Sequence, residues 1–153
     1  MKKSVDIVLV VALIGMAVPL AISAVNSSKV QAEREVVERE AQQLYQAFLA
    51  FYERNGEYPK AFGVDGLDPT TLDPLRRRGY YDGPLLTRLF DERVDAYDSP
   101  DDRGRNQEFW LEMTLAEAPT VRFVVARSDN APLGGGEWLD GVYIRHGRRL
   151  EAL

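Results

Sequence analysis

Apolar residues along this chain follow three successive spacings, and each predicts a different element. From Ile7 to Val25 they are almost uninterrupted: "IVLVVALIGMAVPLAISAV" is 19 residues without a charge. As a helix it would rise roughly 28 Å, close to the thickness of a bilayer's hydrocarbon core. From Ser27 to Arg54 there is neither proline nor glycine, and Val30, Val37, Leu44 and Phe51 recur every seventh residue with Ala41 and Phe48 between them. That spacing predicts an amphipathic helix with one apolar and one charged face. Nothing between Val25 and Ser27 demands a break, so the two segments are expected to form one rod of about 50 residues, roughly 75 Å long. The stop is at Asn55-Gly56, where the left-handed conformation closes a helix, and Pro59 soon afterwards cannot continue one.

The third spacing is alternation. Phe109, Leu111, Met113 and Leu115 share one face of "FWLEMTL", and Val121, Phe123 and Val125 share one face of "TVRFVVA". The short "AEAP" between them suits an antiparallel hairpin. "GVYIR" (141–145) predicts a third strand, and the turn residues His146-Gly147 lead to a last short strand ending near Leu150. The expected fold is α+β: a long N-terminal helix packed on a C-terminal antiparallel sheet of three to four strands. Its helix–sheet core is expected to use Val37, Ala41, Leu44, Phe48 and Phe51. Residues 56–107 are expected to be loop, with prolines at 69, 74, 84 and 100 and a short helix around Pro84 to Val94. The acidic stretch "DERVDAYDSPDDRGRN" belongs to that loop; Arg103 and Phe109 stand where an EF-hand needs glycine and glutamate.

Charge changes the picture at two points. Net charge is −5, and because Lys2, Lys3 and Asp6 contribute +1, the remainder carries −6, which disfavours nucleic acid. The arginine run in "DPLRRRGYYDGP" reads as a solvated face, with a phosphate- or nucleic-acid-binding patch as its alternative. Lys2 and Lys3 ahead of the apolar segment place the N-terminus in the cytoplasm and the rest outside it. The segmentation is then 1–6 cytoplasmic, 7–25 transmembrane, and 26–153 outer domain with helix 26–55, loop 56–107 and sheet 108–150. No cysteine is present, which removes disulfides and thiolate chemistry. The single histidine, His146, falls in a turn, and no serine has a nucleophile's surroundings. A non-enzymatic role is expected.

Taken together, the positive N-terminus, the apolar segment containing Pro19, the uninterrupted amphipathic helix closing in "YERNGEYP" and the C-terminal sheet resemble type IV pilin-like proteins. Within that group the chain is most similar to the pseudopilins of type II secretion systems. The resemblance is carried by residues 5 to 60, and Tyr52 to Pro59 is its most specific element. It implies a filament subunit anchored once in the inner membrane, with its C-terminal domain in the periplasm. Its partners would be copies of itself or related subunits, together with secretion-system assembly proteins. Pro19 resembles the proline that kinks the family's membrane helix. Asp6 stands for the acid that pairs with a neighbour's N-terminal amine; no glycine, at which the family's leader is cut, precedes Ile7. Major pseudopilins hold calcium before their last strand. The matching loop offers Asp129, Asn130, Glu137 and Asp140, although a solvated glycine loop, with no cofactor, is the plainer reading. Without the resemblance, two other readings remain: a non-polymerising membrane-anchored interaction domain that uses the helix as a spacer or dimerisation arm, and a binding domain secreted after cleavage of a signal peptide at "ISA" or "VQA".

Overall fold

The computed structural model describes residues 2–59, 73–83, 94–98, 106–115, 118, 120–131 and 135–153, and for 2–25 and 94–98 it describes the backbone only. One helix, α1, spans Lys2–Asn55, 54 residues without interruption. It ends where the sequence loses its helix formers. Gly56 takes φ 71°, its N–H donates to the Tyr52 carbonyl at 2.7 Å, and Asn55 Nδ2 caps the Phe51 carbonyl at 2.6 Å. A five-residue helix, α2 (Asp73–Arg77), follows, and then five strands: β1 (Val94–Asp98), β2 (Phe109–Thr114), β3 (Val121–Ser128), β4 (Leu139–His146) and β5 (Arg149–Ala152). All pair antiparallel with their chain neighbours in the order β1-β2-β3-β4-β5. Gly147, at φ 60°, makes the tight β4–β5 turn.

Two expectations are corrected. The sheet has five strands rather than three to four, and residues 56–107 are not only loop, since they contain α2 and β1. β1 falls inside the acidic stretch taken for a solvated loop. "VDAYD" has little apolar alternation of its own and becomes a strand by pairing along β2, with a register irregularity between Val94 and Ala96. The helix expected around Pro84 to Val94 lies outside the described residues up to 93, and Val94 itself begins a strand. Asp6 and Pro19 lie on α1, with side chains outside the described residues. The same holds for the Ile7–Val25 side chains; among the described residues no helix is long and apolar enough to cross a membrane.

The core lies between α1 and the inner face of the sheet. Val37, Ala41, Leu44, Ala47, Phe48 and Phe51 are buried at helical spacing against Phe109, Leu111, Met113, Phe123, Val125, Val142 and Ile144. Alternation puts these strand residues on one face, and register aligns them in rows: Leu111, Val125 and Val142 form one row, and Met113, Phe123 and Ile144 the next. Phe48 stacks on Phe109 with ring centroids 4.1 Å apart and an interplanar angle of 14°. Tyr58 and Leu75, from beyond the helix, are also fully buried in this cluster. Tyr81 joins them and donates to the buried Glu40 carboxylate at 2.5 Å. Gly83 leaves room for that pair: a Cβ there would stand 2.8 Å from Glu40 Oε2 and closer still to the phenol.

The outer face carries a smaller cluster of Trp110, Val124, Ala126, Ala131 and Leu139. Beside it, buried Glu112 receives Arg122 at 3.0 Å from the adjoining strand β3 and Arg145 at 2.7 Å from β4, one strand further on. A buried carboxylate needs such partners to remain charged.

Charge placed at the Phe48–Phe109 stack has no route to solvent, so Phe48→Arg is expected to abolish the cooperative unfolding transition followed by near-UV circular dichroism. Phe48→Ala is expected to fold with a loss of about 3–5 kcal/mol in urea titration. A native-like transition in Phe48→Arg would contradict this packing.

Candidate functional site

Two surfaces of α1 stand out: the one that clamps the sheet and the one the sheet leaves uncovered. The clamp forms where the row Phe109, Arg127 and Asp140 crosses the helix. Arg127 and Asp140 are cross-strand neighbours on the inner face, with Nε 3.7 Å from Oδ1. Tyr45 donates its hydroxyl to Asp140, while Arg127 Nη1 donates to the Tyr58 hydroxyl at 3.2 Å. Tyr52 donates to Gln107, whose Nε2 donates to the Gly56 carbonyl at 3.1 Å. Tyr58 is fixed by its backbone as well, since its N–H donates to the Asn106 carbonyl at 2.8 Å. The rings of Tyr52 and Tyr58 lie 4.7 Å apart, and Tyr58 is equally close to Phe109. Aromatic bodies therefore seal the end of the core while their hydroxyls tie three chain segments together.

Burial pushes the Tyr45 phenol well above its ordinary value, and donation to Asp140 adds to the shift. Burial also raises Tyr58, against the opposing pull of Arg127. The hydrogen bond to Tyr58 in turn raises the Arg127 guanidinium. Both phenols stay protonated near neutral pH, Tyr45 as the donor to Asp140 and Tyr58 as the acceptor from Arg127.

Of the residues considered for calcium, Asp140 is engaged by Tyr45 and Arg127. Asp129 and Glu137 are exposed, and Asn130 donates to Glu108 at 3.0 Å. Among the described residues no group of three His, Cys, Asp or Glu side chains could hold a metal ion. His146 sits exposed at the end of β4. No sequence spacing linked residues 45, 58, 127 and 140. The one local hint was that Arg127 and Asp140 extend strands whose inner faces are otherwise apolar.

The uncovered surface begins where the core ends. From Asn26 to Val36 no residue of α1 is buried: Val30 is only half-buried, and Val36 is 39% exposed. Further along, an open groove of about 500 Å³ lies between α1 and β4, lined by Arg39, Gln42, Gln43, Gln46, Val142 and Leu153 among others. At the C-terminal end of α1 a second groove, of about 380 Å³, is bordered by Arg54, Arg78 and Tyr80.

No protein-family model, curated protein or solved structure matches this chain. Assignment of a role therefore rests on the helix, its clamp and its uncovered face.

Because the phenols are held neutral, folding stability should be intact below about pH 10, the ordinary tyrosine value, and should fall as pH rises beyond it, where only the unfolded chain ionises. In urea titrations from pH 8 to 11, Tyr45→Phe is expected to lose at most about 1 kcal/mol at pH 8 and to show a shallower alkaline decline than the native chain. Equal slopes would remove Tyr45 from this linkage.

Proposed function

We propose that the chain is a structural subunit of a membrane-anchored filament, of the type IV pilin-like kind and most similar to type II secretion pseudopilins. The observation that carries this is the continuity of α1. One 54-residue helix has its last third clamped to a sheet, while from Asn26 to Val36 no residue is buried among the described residues. A helix that covers a sheet needs only about 15 residues here, Val37 to Phe51. The remainder exceeds what the domain uses and suits burial among other helices. Ile7–Val25 would lie in the inner membrane, and withdrawal from lipid would expose apolar surface that only neighbouring helices could bury, at roughly 25 cal/mol per Å². The periplasmic domain would then be a rigid head that the Tyr45, Tyr58, Arg127 and Asp140 clamp keeps in fixed register with the rod. This role involves no catalytic step and no cofactor. Partners are copies or relatives of the same chain, with secretion-system assembly proteins at the membrane.

Intact-mass and N-terminal analysis of the protein from membranes of its native host tests the assignment. An N-terminus at or just after Lys3, bearing a methyl group, is expected. A chain that keeps Met1 and stays in the membrane supports a permanent anchor instead, and a start near Val25 or Glu33 rules out the membrane rod. Asp6→Ala is expected to leave the outer domain's circular dichroism unchanged while reducing assembly, read by cross-linking in membranes. Undiminished assembly would make Asp6 an ordinary boundary residue.

A further inference from the structure

Within the arginine run, Arg76 pairs with Asp82 at 2.9 Å and Arg77 with Asp73 at 2.5 Å. Arg78 has no acidic partner among the described residues. It donates to the Asn55 side chain and lies over the Phe51 ring, 5.5 Å from its centroid. Arg54, 24 residues earlier, stands 6.0 Å over the Tyr80 ring and likewise meets no carboxylate among the described residues. The fold brings these two guanidiniums to one groove, lined by Ala50, Glu53, Arg54, Arg78, Gly79 and Tyr80. Their aromatic seats hold them ready, which lowers the ordering cost of receiving an anion.

The complementary surface is on the same helix. Among the described residues exposed Glu35 accepts only from Gln31 and Glu38 has no ion pair; with Arg39 and Gln42 they line a shallow groove of about 270 Å³. One groove carries two arginines and a glutamate, and the other two glutamates and an arginine. They cannot meet within one molecule, because 16 to 19 helical residues separate them, about 24–28 Å.

We propose that the Arg54–Arg78 groove receives the Glu35–Glu38 face of α1 from a second copy of the chain, lying parallel and displaced by about 24–28 Å along the helix axis. Two different patches are joined, so the contact is heterologous and each copy keeps a free donor face and a free acceptor groove. Repetition gives an open assembly rather than a closed dimer. The parallel direction rests on the filament assignment above, in which every copy enters the membrane the same way.

The test is charge reversal in the full chain, expressed in bacterial inner membranes and read as a ladder of chemically cross-linked species. Arg54→Glu/Arg78→Glu and Glu35→Arg/Glu38→Arg are each expected to lower species beyond the dimer at least about tenfold, since like charges would then face each other. Co-expression of the two variants under different tags should restore a ladder in which the tags alternate. If Arg78→Glu loosens the α2 turn, as circular dichroism would reveal, Arg54→Glu alone on the exposed helix surface takes its place. A native ladder unchanged by either reversal overturns the pairing and leaves the filament assignment standing. A mixture of folded variants that fails to restore the ladder does the same. Cross-linking that stops at the dimer overturns the open, parallel contact. A native chain that gives no ladder at all overturns both.

Discussion

Everything in the helix–sheet domain depends on one contact, the apolar stripe of α1 laid across the inner face of the sheet. Phe48 on Phe109 is its centre. An antiparallel sheet with one apolar face is unstable in water until that face is covered, and an amphipathic helix has the same problem in reverse. Each solves the other's. The buried helix positions step by three and four residues and the buried strand positions by two, so the two periodicities mesh over Val37 to Phe51. Tyr58 and Leu75 then plug the ends that neither element reaches.

Polar groups are placed by that contact rather than placing it. Tyr45, Tyr58, Arg127 and Asp140 lie at the rim, where the apolar rows give out and hydroxyls still find partners. The Arg127–Asp140 pair is over a third exposed on both sides and adds little by attraction alone. Its value is geometric: with the phenols it fixes the angle and register of helix on sheet. On the outer face, Glu112 between two arginines serves a related end, tying β2 to β3 and β4 through charges that would be costly if left alone.

α1 is longer than its pairing with the sheet requires. A rod that buries only part of its length against its own sheet leaves surface for others, and here that surface is charged in two unlike patches. The grooves at Arg54–Arg78 and Glu35–Glu38 are separated by the helix itself. Helix length therefore sets which contacts one molecule cannot make internally.

Much of this was legible in the sequence because it is periodic. The absence of glycine and proline from Ser27 to Arg54, the Asn55-Gly56 stop and the alternation in β2 and β3 are local facts, and local backbone preferences act on them directly. The α+β class follows from them. What only the tertiary structure decided is non-local. "VDAYD" became a fifth strand because β2 offered an edge, not because of its own residues. Glu40 and Glu112 look like surface acids in the sequence, yet each is buried because distant partners, Tyr81 in one case and Arg122 with Arg145 in the other, arrive beside it. Likewise Arg54 and Arg78 became one site only when α2 folded back on the end of α1. Periodicity fixes which face a residue takes; which residue it meets there depends on registers and turns that no short window contains.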